Sequence, residues 1–286
     1  MNIGSAFRDL LDERHLIMPV VHDALCARIA ENVGFKAIFS AGYANTASLL
    51  GQPDVNLLTM TEMVDAARRI AGAVDIPVIA DADTGYGNVT NVNRTVREYE
   101  RAGVAGILIE DQVSPKRCGH MSGKEVIPPE EMVAKIRACL DARQDLFIIA
   151  RTDALSVNGI DDAIDRANKY REEGADMTFV EAVETIGQMR KVIEQTEGPH
   201  MANMIPGGRT PFLTVEELEE IGYRIMAYPT INTYAVARAT TEVFEHLRDR
   251  GSFAGLEDRL MDFDEFNHLV GLEDVREREK GYLESK

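Results

Sequence analysis

Gly106-Ile107-Leu108-Ile109 ends in Glu110-Asp111-Gln112 and opens into the polar loop Ser114-Pro115-Lys116-Arg117-Cys118-Gly119-His120-Met121-Ser122-Gly123-Lys124. An unbroken apolar run of this kind reads as a strand covered on both faces, the habit of parallel sheets. The same pattern recurs at Leu16–Val21, Ala37–Ser40, Pro77–Ala80, Leu146–Ala150, Met177–Val180, His200–Met204 and Tyr223–Ala227, which makes eight runs. Amphipathic stretches such as Thr61–Ile70 and Ile160–Glu173 separate them, and a helix over Ile3–Glu13 precedes them all. Eight strand-and-helix units predict an α/β chain folded as a (β/α)₈ TIM barrel rather than an open doubly wound sheet. No Pro/Gly/Ser-rich linker divides the chain, so the expectation is one domain over residues 1–286 with a C-terminal helical extension from about 240 to 286.

The polar strand ends carry the functional reading. His22-Asp23, Ser40-Ala41-Gly42-Tyr43, Asp81-Ala82-Asp83-Thr84, Glu110-Asp111-Gln112, Arg151-Thr152-Asp153, Glu181, Asn203 and Tyr228 each follow an apolar run. In a barrel all these ends meet on one rim, where active sites of the fold sit. Asp81 and Asp83, two apart on a strand, face the same side, and like charges that close call for a cation. With Glu110, and with Asp111 directly or through water, they form a hard oxygen set suited to Mg²⁺; the alternative for Asp83 is a helix N-cap. No His cluster accompanies these carboxylates, which points away from Zn²⁺ there. Arg151 offers a planar fork of donors to a substrate carboxylate, or else pairs with Asp153 or Glu181. Cys118, flanked by Lys116, Arg117 and His120, sits in a positive field expected to favour thiolate; the bland alternative is a solvated basic loop. Gly85, Gly87, Gly207 and Gly208 have the spacing of turns, not of a phosphate cradle.

Composition narrows the classes. A net charge of −17 argues against nucleic acid and against an anionic membrane surface, while leaving room for an anionic substrate in a pocket with local arginines. Three cysteines, Cys26, Cys118 and Cys139, show no disulfide or metal-ligand spacing. Cys26 and Cys139 fall in helical patterns and read as buried structural thiols. No leader pattern and no membrane-length apolar run is present, so the expectation is a cytoplasmic protein in a reducing compartment.

Lys116-Arg117-Cys118-Gly119-His120, Ala80-Asp81-Ala82-Asp83-Thr84-Gly85-Tyr86-Gly87, Ile109-Glu110-Asp111-Gln112, Ala150-Arg151-Thr152-Asp153-Ala154 and Phe179-Val180-Glu181-Ala182 together resemble the isocitrate lyase/phosphoenolpyruvate mutase superfamily. The resemblance runs from about Ala24 to Leu272, and the cysteine loop marks the carbon–carbon lyase branch. Asn203-Met204-Ile205, Gly207-Gly208-Arg209-Thr210-Pro211 and Phe263-Asp264-Glu265-Phe266-Asn267 resemble its 2,3-dimethylmalate lyase and petal death protein group, with 2-methylisocitrate lyases as neighbours. Tyr234 stands where the latter carry a carboxylate-reading arginine, and Pro206 where most relatives carry a glutamate.

The resemblance implies a Mg²⁺-dependent oxo-acid lyase, with Mn²⁺ as a substitute ion. It would cleave the C2–C3 bond of a 2-hydroxy dicarboxylate to pyruvate or a related 2-keto acid plus a carboxylate. Alternatives are 2-methylisocitrate cleavage to pyruvate and succinate, oxaloacetate hydrolysis, and a non-enzymatic ligand-binding barrel. Cys118 is the expected proton donor, with Lys116, His120, Arg151 and Tyr43 as further catalytic groups. Ser40, Ala41, Gly42, Gly119, Arg151, Glu181 and Asn203 are the expected substrate contacts, and Asp81, Asp83 and Glu110 the metal ligands. The resemblance also implies a homotetramer, a dimer of dimers that swap the last helix.

Overall fold

The computed structural model describes residues 2–284, so residues 1, 285 and 286 of the expected domain lie outside the described residues. Helix α1 (Ile3–Glu13) leads into β1 (Leu16–Pro19) with α2 (Ala24–Asn32), then β2 (Ile38–Ser40) with α3 (Gly42–Leu50) and α4 (Met60–Ala71). β3 (Val78–Asp81) with α5 (Val89–Arg101) and β4 (Gly106–Glu110) with α6 (Pro129–Ala142) complete the first half. The second supplies β5 (Phe147–Thr152) with α7 (Leu155–Asn158) and α8 (Ile160–Glu172), and β6 (Met177–Val180) with α9 (Ile186–Gln195). β7 (Met201–Asn203) with α10 (Val215–Ile221) and β8 (Ile225–Tyr228) with α11 (Ile231–Arg250) follow, then α12 (Phe263–Leu269) and α13 (Leu272–Glu284). The helices begin where the sequence offers reciprocal caps, as at Thr59 with Glu62, Asn88 with Asn91 and Thr214 with Glu217.

The strands pair in parallel, β2 through β6 in one ladder and β7-β8-β1 in another. Single parallel bridges, Val20 to Phe39 and Thr178 to His200, join the two ladders into a closed (β/α)₈ barrel. The extension differs from expectation: α11 is one helix of 20 residues, so a boundary near 240 falls in its middle, and the extension proper begins after Arg250.

Side chains alternate between the barrel axis and the helix layer, and this alternation builds the site. On β5, Phe147 and Ile149 join the inner cluster while Ile148 and Ala150 join the outer one. Ile79, Leu108, Phe179 and Met201 are likewise inner residues of β3, β4, β6 and β7. The barrel floor is closed by α1, whose Phe7 is fully buried edge-to-face on Phe147, ring centroids 5.1 Å apart. The lower barrel is therefore apolar, and polar side chains enter only at the last inward position of β3 to β7.

Candidate active site

On five strands a polar residue stands two places beyond the last inner apolar side chain: Asp81 after Ile79, Glu110 after Leu108, Arg151 after Ile149, Glu181 after Phe179 and Asn203 after Met201. Period two thus aims all five into the mouth of the barrel. The same parity excludes others. Ser40 follows outward-facing Ile38 and accepts from the Asn45 amide at 3.1 Å, behind the site. Gly42 donates its N–H to Asp81 Oδ2 at 3.0 Å, which leaves Ala41 as the member of that trio on the cavity wall. Asp111 is also outward: it accepts from Thr152 Oγ1 (2.7 Å), Tyr170 Oη (2.8 Å) and Arg166 Nη1 (3.1 Å), so it braces the helix layer and does not join the carboxylate cluster.

Asp83 reaches the cluster by another route than strand alternation. β3 ends at Asp81, and Asp83 takes a left-handed φ of 46°, receiving no helix to cap, since α5 starts at Val89 with Asn88 as its cap. Its backbone N–H donates to Asp81 Oδ1 at 3.0 Å. The point where a Cβ on Gly42 would stand lies 3.1 Å from Asp81 Oδ2, 3.4 Å from Asp83 Oδ1 and 3.4 Å from Lys116 Nζ, so these groups converge there. Lys116 folds in from the loop to Asp54 (2.7 and 2.8 Å) and to Asp83 Oδ1 (3.0 Å). Burial opposes its charge, but Asp83, Asp81, Glu110 and Asp54 hold the ammonium well above its ordinary range. Burial raises the Asp83 carboxyl to about 6 against the pull of Lys116, and raises Glu110 well above the usual range against that of Arg151.

These residues fit a divalent cation. Glu110 Oε1 is buried without a hydrogen-bond partner, and Asp83 Oδ1, equally buried, has only its ion-pair contact with Lys116, a costly condition that a divalent ion relieves. The donors are all carboxylate oxygens, the set preferred by Mg²⁺ and Mn²⁺.

Opposite stands a basic group. Arg151 Nε and Nη2 are taken by Asp153 at 2.9 and 3.0 Å, and Nη1 lies 3.2 Å from Glu110 Oε2 and 3.3 Å from Glu181 Oε2. Both ion pairs considered from the sequence are therefore present, and a free bidentate fork is not. Burial would raise Glu181, but Arg151, His120 and Lys124 hold it down at about 2. Asn203 Nδ2 donates to its Oε2 at 3.1 Å. The Arg209 N–H donates to His120 Nδ1 at 3.0 Å, which places the imidazole proton on Nε2, 3.3 Å from Glu181 Oε1.

The loop closes this space from above. An antiparallel bridge of Gln112 to Val126 forms its stem, and Lys124 locks it by donating to the Gly119 carbonyl and, at 2.7 Å, to Asp153 Oδ1. Gly119 packs so closely that a Cβ would stand 2.5 Å from Arg151 Nη2 and 2.6 Å from Glu181 Cγ. The expected thiolate at Cys118 is corrected. Burial pushes the thiol up and Asp54 and Glu181 add to it, while the His120 backbone N–H and, less, Arg151 offset only part. Lys116 has turned to the carboxylates, and exposed Arg117 donates to the Ser122 carbonyl at 3.3 Å, so neither supplies the positive field. Tyr43 Oη lies 3.3 Å from Tyr234 Oη; that contact and burial push its phenol up to about 12, so it holds its proton and is no base near neutrality.

The result is a cavity of about 210 Å³ lined at one end by Asp81, Asp54 and Lys116, and at the other by Cys118, His120, Arg151, Glu181 and Asn203. Val20, Phe39, Leu108, Phe179 and Met201 form its apolar floor. Ser40, Gly42, Asp83 and Glu110 are not among its lining residues; Glu110 points toward the mouth but is covered by its contact with Arg151. Asp54 and Lys124 escaped the sequence reading: neither belongs to a strand end, and only folding brings each to its partner.

The family model described as phosphoenolpyruvate phosphomutase matches residues 7–248. The chain is 49% identical over 285 residues to 2,3-dimethylmalate lyase of Eubacterium barkeri, covering 99% of each. It superposes on oxaloacetate acetylhydrolase in complex with the inhibitor 3,3-difluorooxalacetate with a TM-score of 0.93 at 37% identity, covering 98% of this chain and 97% of that one. Phosphonopyruvate hydrolase in complex with oxalate and Mg²⁺ superposes with a TM-score of 0.89 at 32% identity, covering 99% of this chain and 100% of that one.

Proposed function

The chain belongs to the phosphoenolpyruvate mutase/isocitrate lyase superfamily, and from that membership we propose a carbon–carbon lyase that cleaves the C2–C3 bond of a 2,3-dimethylmalate or 2-alkylmalate type substrate. The products are pyruvate or a related 2-keto acid and a carboxylate. The observation that carries the reading is a protonated thiol, Cys118, on the same small cavity as the Asp81 end of the carboxylate cluster. Asp81, Asp83 and Glu110 would hold Mg²⁺, with Mn²⁺ as a substitute. The ion when bound supplies the charge that holds the 2-hydroxy acid end and polarises its oxygens.

The chain's own groups account for the remainder. The apolar floor accepts alkyl substituents, Arg151 supplies a positive charge at the far carboxylate, and His120 offers it an Nε2–H donor. Because Arg151 is already braced by three carboxylates, it acts as a fixed charge, and Asn203 and the Gly119 backbone complete the contacts. As the C2–C3 bond breaks, the C2 hydroxyl gives its proton to the carboxylate cluster at the Asp81 end and C2 becomes the keto carbon; the electron pair of the broken bond stays on C3, and the Cys118 Sγ–H protonates that carbon. Lys124 and the loop stem keep water out while this happens. Tyr234, a phenol on the wall in place of a cationic side chain, favours a substrate with fewer carboxylates than 2-methylisocitrate. Measuring kcat/KM for 2,3-dimethylmalate, 2-alkylmalates, 2-methylisocitrate and oxaloacetate tests the assignment. Highest turnover on oxaloacetate, with acetate and oxalate released, would replace it with the hydrolase reading.

The reading extends to assembly and place. α11 buries no residue, and Phe244, Phe253, Phe263 and Tyr282 are exposed along the C-terminal arm, an apolar surface that further copies of the chain would cover in a homotetramer of helix-swapped dimers. No described helix is long and apolar enough to cross a membrane, and three free thiols suit the reducing cytoplasm.

A further inference from the structure

Just beyond β1 three potential ligands meet that the lyase reaction does not use. His22 is buried, 8% exposed, and its Nε2 lies 3.7 Å from Cys26 Sγ and 3.8 Å from Asp23 Oδ2. The three donor atoms fall within 4.8 Å of one another. Asp23 divides its labour: one oxygen caps α2 by accepting the Cys26 N–H at 2.8 Å, which leaves the other turned toward the imidazole. An independent feature stands behind the ring, where the Asn232 amide at the start of α11 lies 3.3 Å from His22 Nδ1. The atom placed there is the amide nitrogen Nδ2; exchanging it with the carbonyl oxygen by a flip of the side chain lets that oxygen accept from Nδ1–H and fixes the tautomer that leaves Nε2 bare, the arrangement that metal-binding histidines require.

We propose that His22 Nε2, Asp23 Oδ2 and Cys26 Sγ form a second metal site, for a borderline-soft transition ion of the Zn²⁺ class. Bond lengths of about 2.0–2.1 Å to nitrogen and about 2.3 Å to sulfur at a tetrahedral angle set those atoms about 3.6 Å apart, close to the spacing observed. A thiolate, an imidazole and one carboxylate discriminate against Mg²⁺, which takes oxygen ligands, so this site and the carboxylate cluster of the cavity sort the two ions by ligand softness. Binding exchanges the Sγ–H bond for a metal–sulfur bond and releases the proton to solvent. The half-exposed Asp23 carboxylate gives the ion its entrance and leaves the fourth position to water. Because Asn232 lies between Thr230 and Tyr234 of the cavity wall, the ion ties the β1–α2 turn to the start of α11 beside the substrate.

Co²⁺ is the probe, since only a thiolate ligand produces a sulfur-to-cobalt charge-transfer band in the near ultraviolet. With the metal-free protein in excess Mg²⁺, the band is expected for the wild type and for Cys118→Ser, is abolished in Cys26→Ser, and is bleached by added Zn²⁺. His22→Gln, which keeps the thiol, and Asn232→Leu are expected to weaken Co²⁺ binding, the latter by about 10–100-fold, the usual cost of removing an outer partner of a ligand. Circular dichroism of each variant establishes that it is folded. No band in the wild type, a band that survives Cys26→Ser, or unchanged affinity in His22→Gln overturns the proposal. None of these outcomes touches the lyase reading, which turnover of the Mg²⁺-loaded wild type judges separately.

Discussion

At the scale of single residues, parity along the strand decides which side chains do chemistry. Asp81, Glu110, Arg151, Glu181 and Asn203 were legible as polar strand ends, and each stands two places past an inward apolar residue; Asp111 was misread because it stands three places past Leu108, on the outward parity. Cys118 was legible as the special residue but not in its charge: the sequence shows neighbouring cations, and only the fold shows that Lys116 has turned away to Asp54 and Asp83. A thiol held protonated by burial is suited to give a proton rather than to attack. Cys118→Ser is therefore expected to lower kcat by about 10²–10⁴ while leaving substrate affinity within a few-fold, as for loss of a positioned acid. Single-turnover kinetics with a separate binding measurement check this; a near wild-type rate would make the cysteine mere loop packing. At the other end of the cavity, calorimetric titration with Mg²⁺ should show binding in the wild type and none in Asp83→Ala, because that change removes one of the buried carboxylates that motivate the ion site. Equal Mg²⁺ affinity in the two proteins would move the ion elsewhere.

The elements were legible in inverse proportion to their dependence on distant contacts. Every apolar run became a strand within a residue or two of its expected bounds, and Ile3–Glu13 became α1, since burial on both faces and helical spacing are written locally. The left-handed turn at Asp83 and the seating of the cysteine loop were not legible, because each rests on partners far along the chain. The loop stands closed by three things: the Gln112–Val126 bridge, Lys124 on Asp153, and the absence of a side chain at Gly119. Gly119→Ala puts a methyl against Arg151 and Glu181 at distances no real Cβ tolerates, while the barrel beneath is untouched. The expected result is an unchanged Tm and a fall in kcat/KM of about 10²-fold, the cost of displacing a catalytic group by an ångström. Thermal unfolding and steady-state kinetics on one preparation test it; full activity in Gly119→Ala would mean that the loop works without seating.

At the scale of the whole molecule, stability and chemistry occupy opposite ends of the barrel, as the fold's architecture demands. His200, just before β7 at the floor, is buried beside Thr196, and burial lowers its pKa from 6.5 to about 4. A depressed histidine contributes stability above its unfolded pKa and loses it as pH falls toward the folded value. The wild type should lose roughly 3 kcal/mol between about pH 7 and pH 4 through this group, a slope that urea unfolding would find missing in His200→Gln. Assembly is the larger question at this scale. Phe244 is 65% exposed, Phe263 82% and Tyr282 79%, on an arm whose α12 rests against α2 of its own chain. Large aromatic rings this exposed mark a surface that a partner covers, and they would form the apolar centre of a subunit contact of the usual size, about 800 Å² from each partner. The swap that the family suggests would exchange the arm without altering the barrel, so disrupting it should separate assembly from folding. Phe244→Glu together with Phe263→Glu is expected to reduce a tetrameric mass by light scattering to that of smaller species, with far-ultraviolet circular dichroism unchanged. A tetramer that survives both charges would show that the arm is not what holds the copies together.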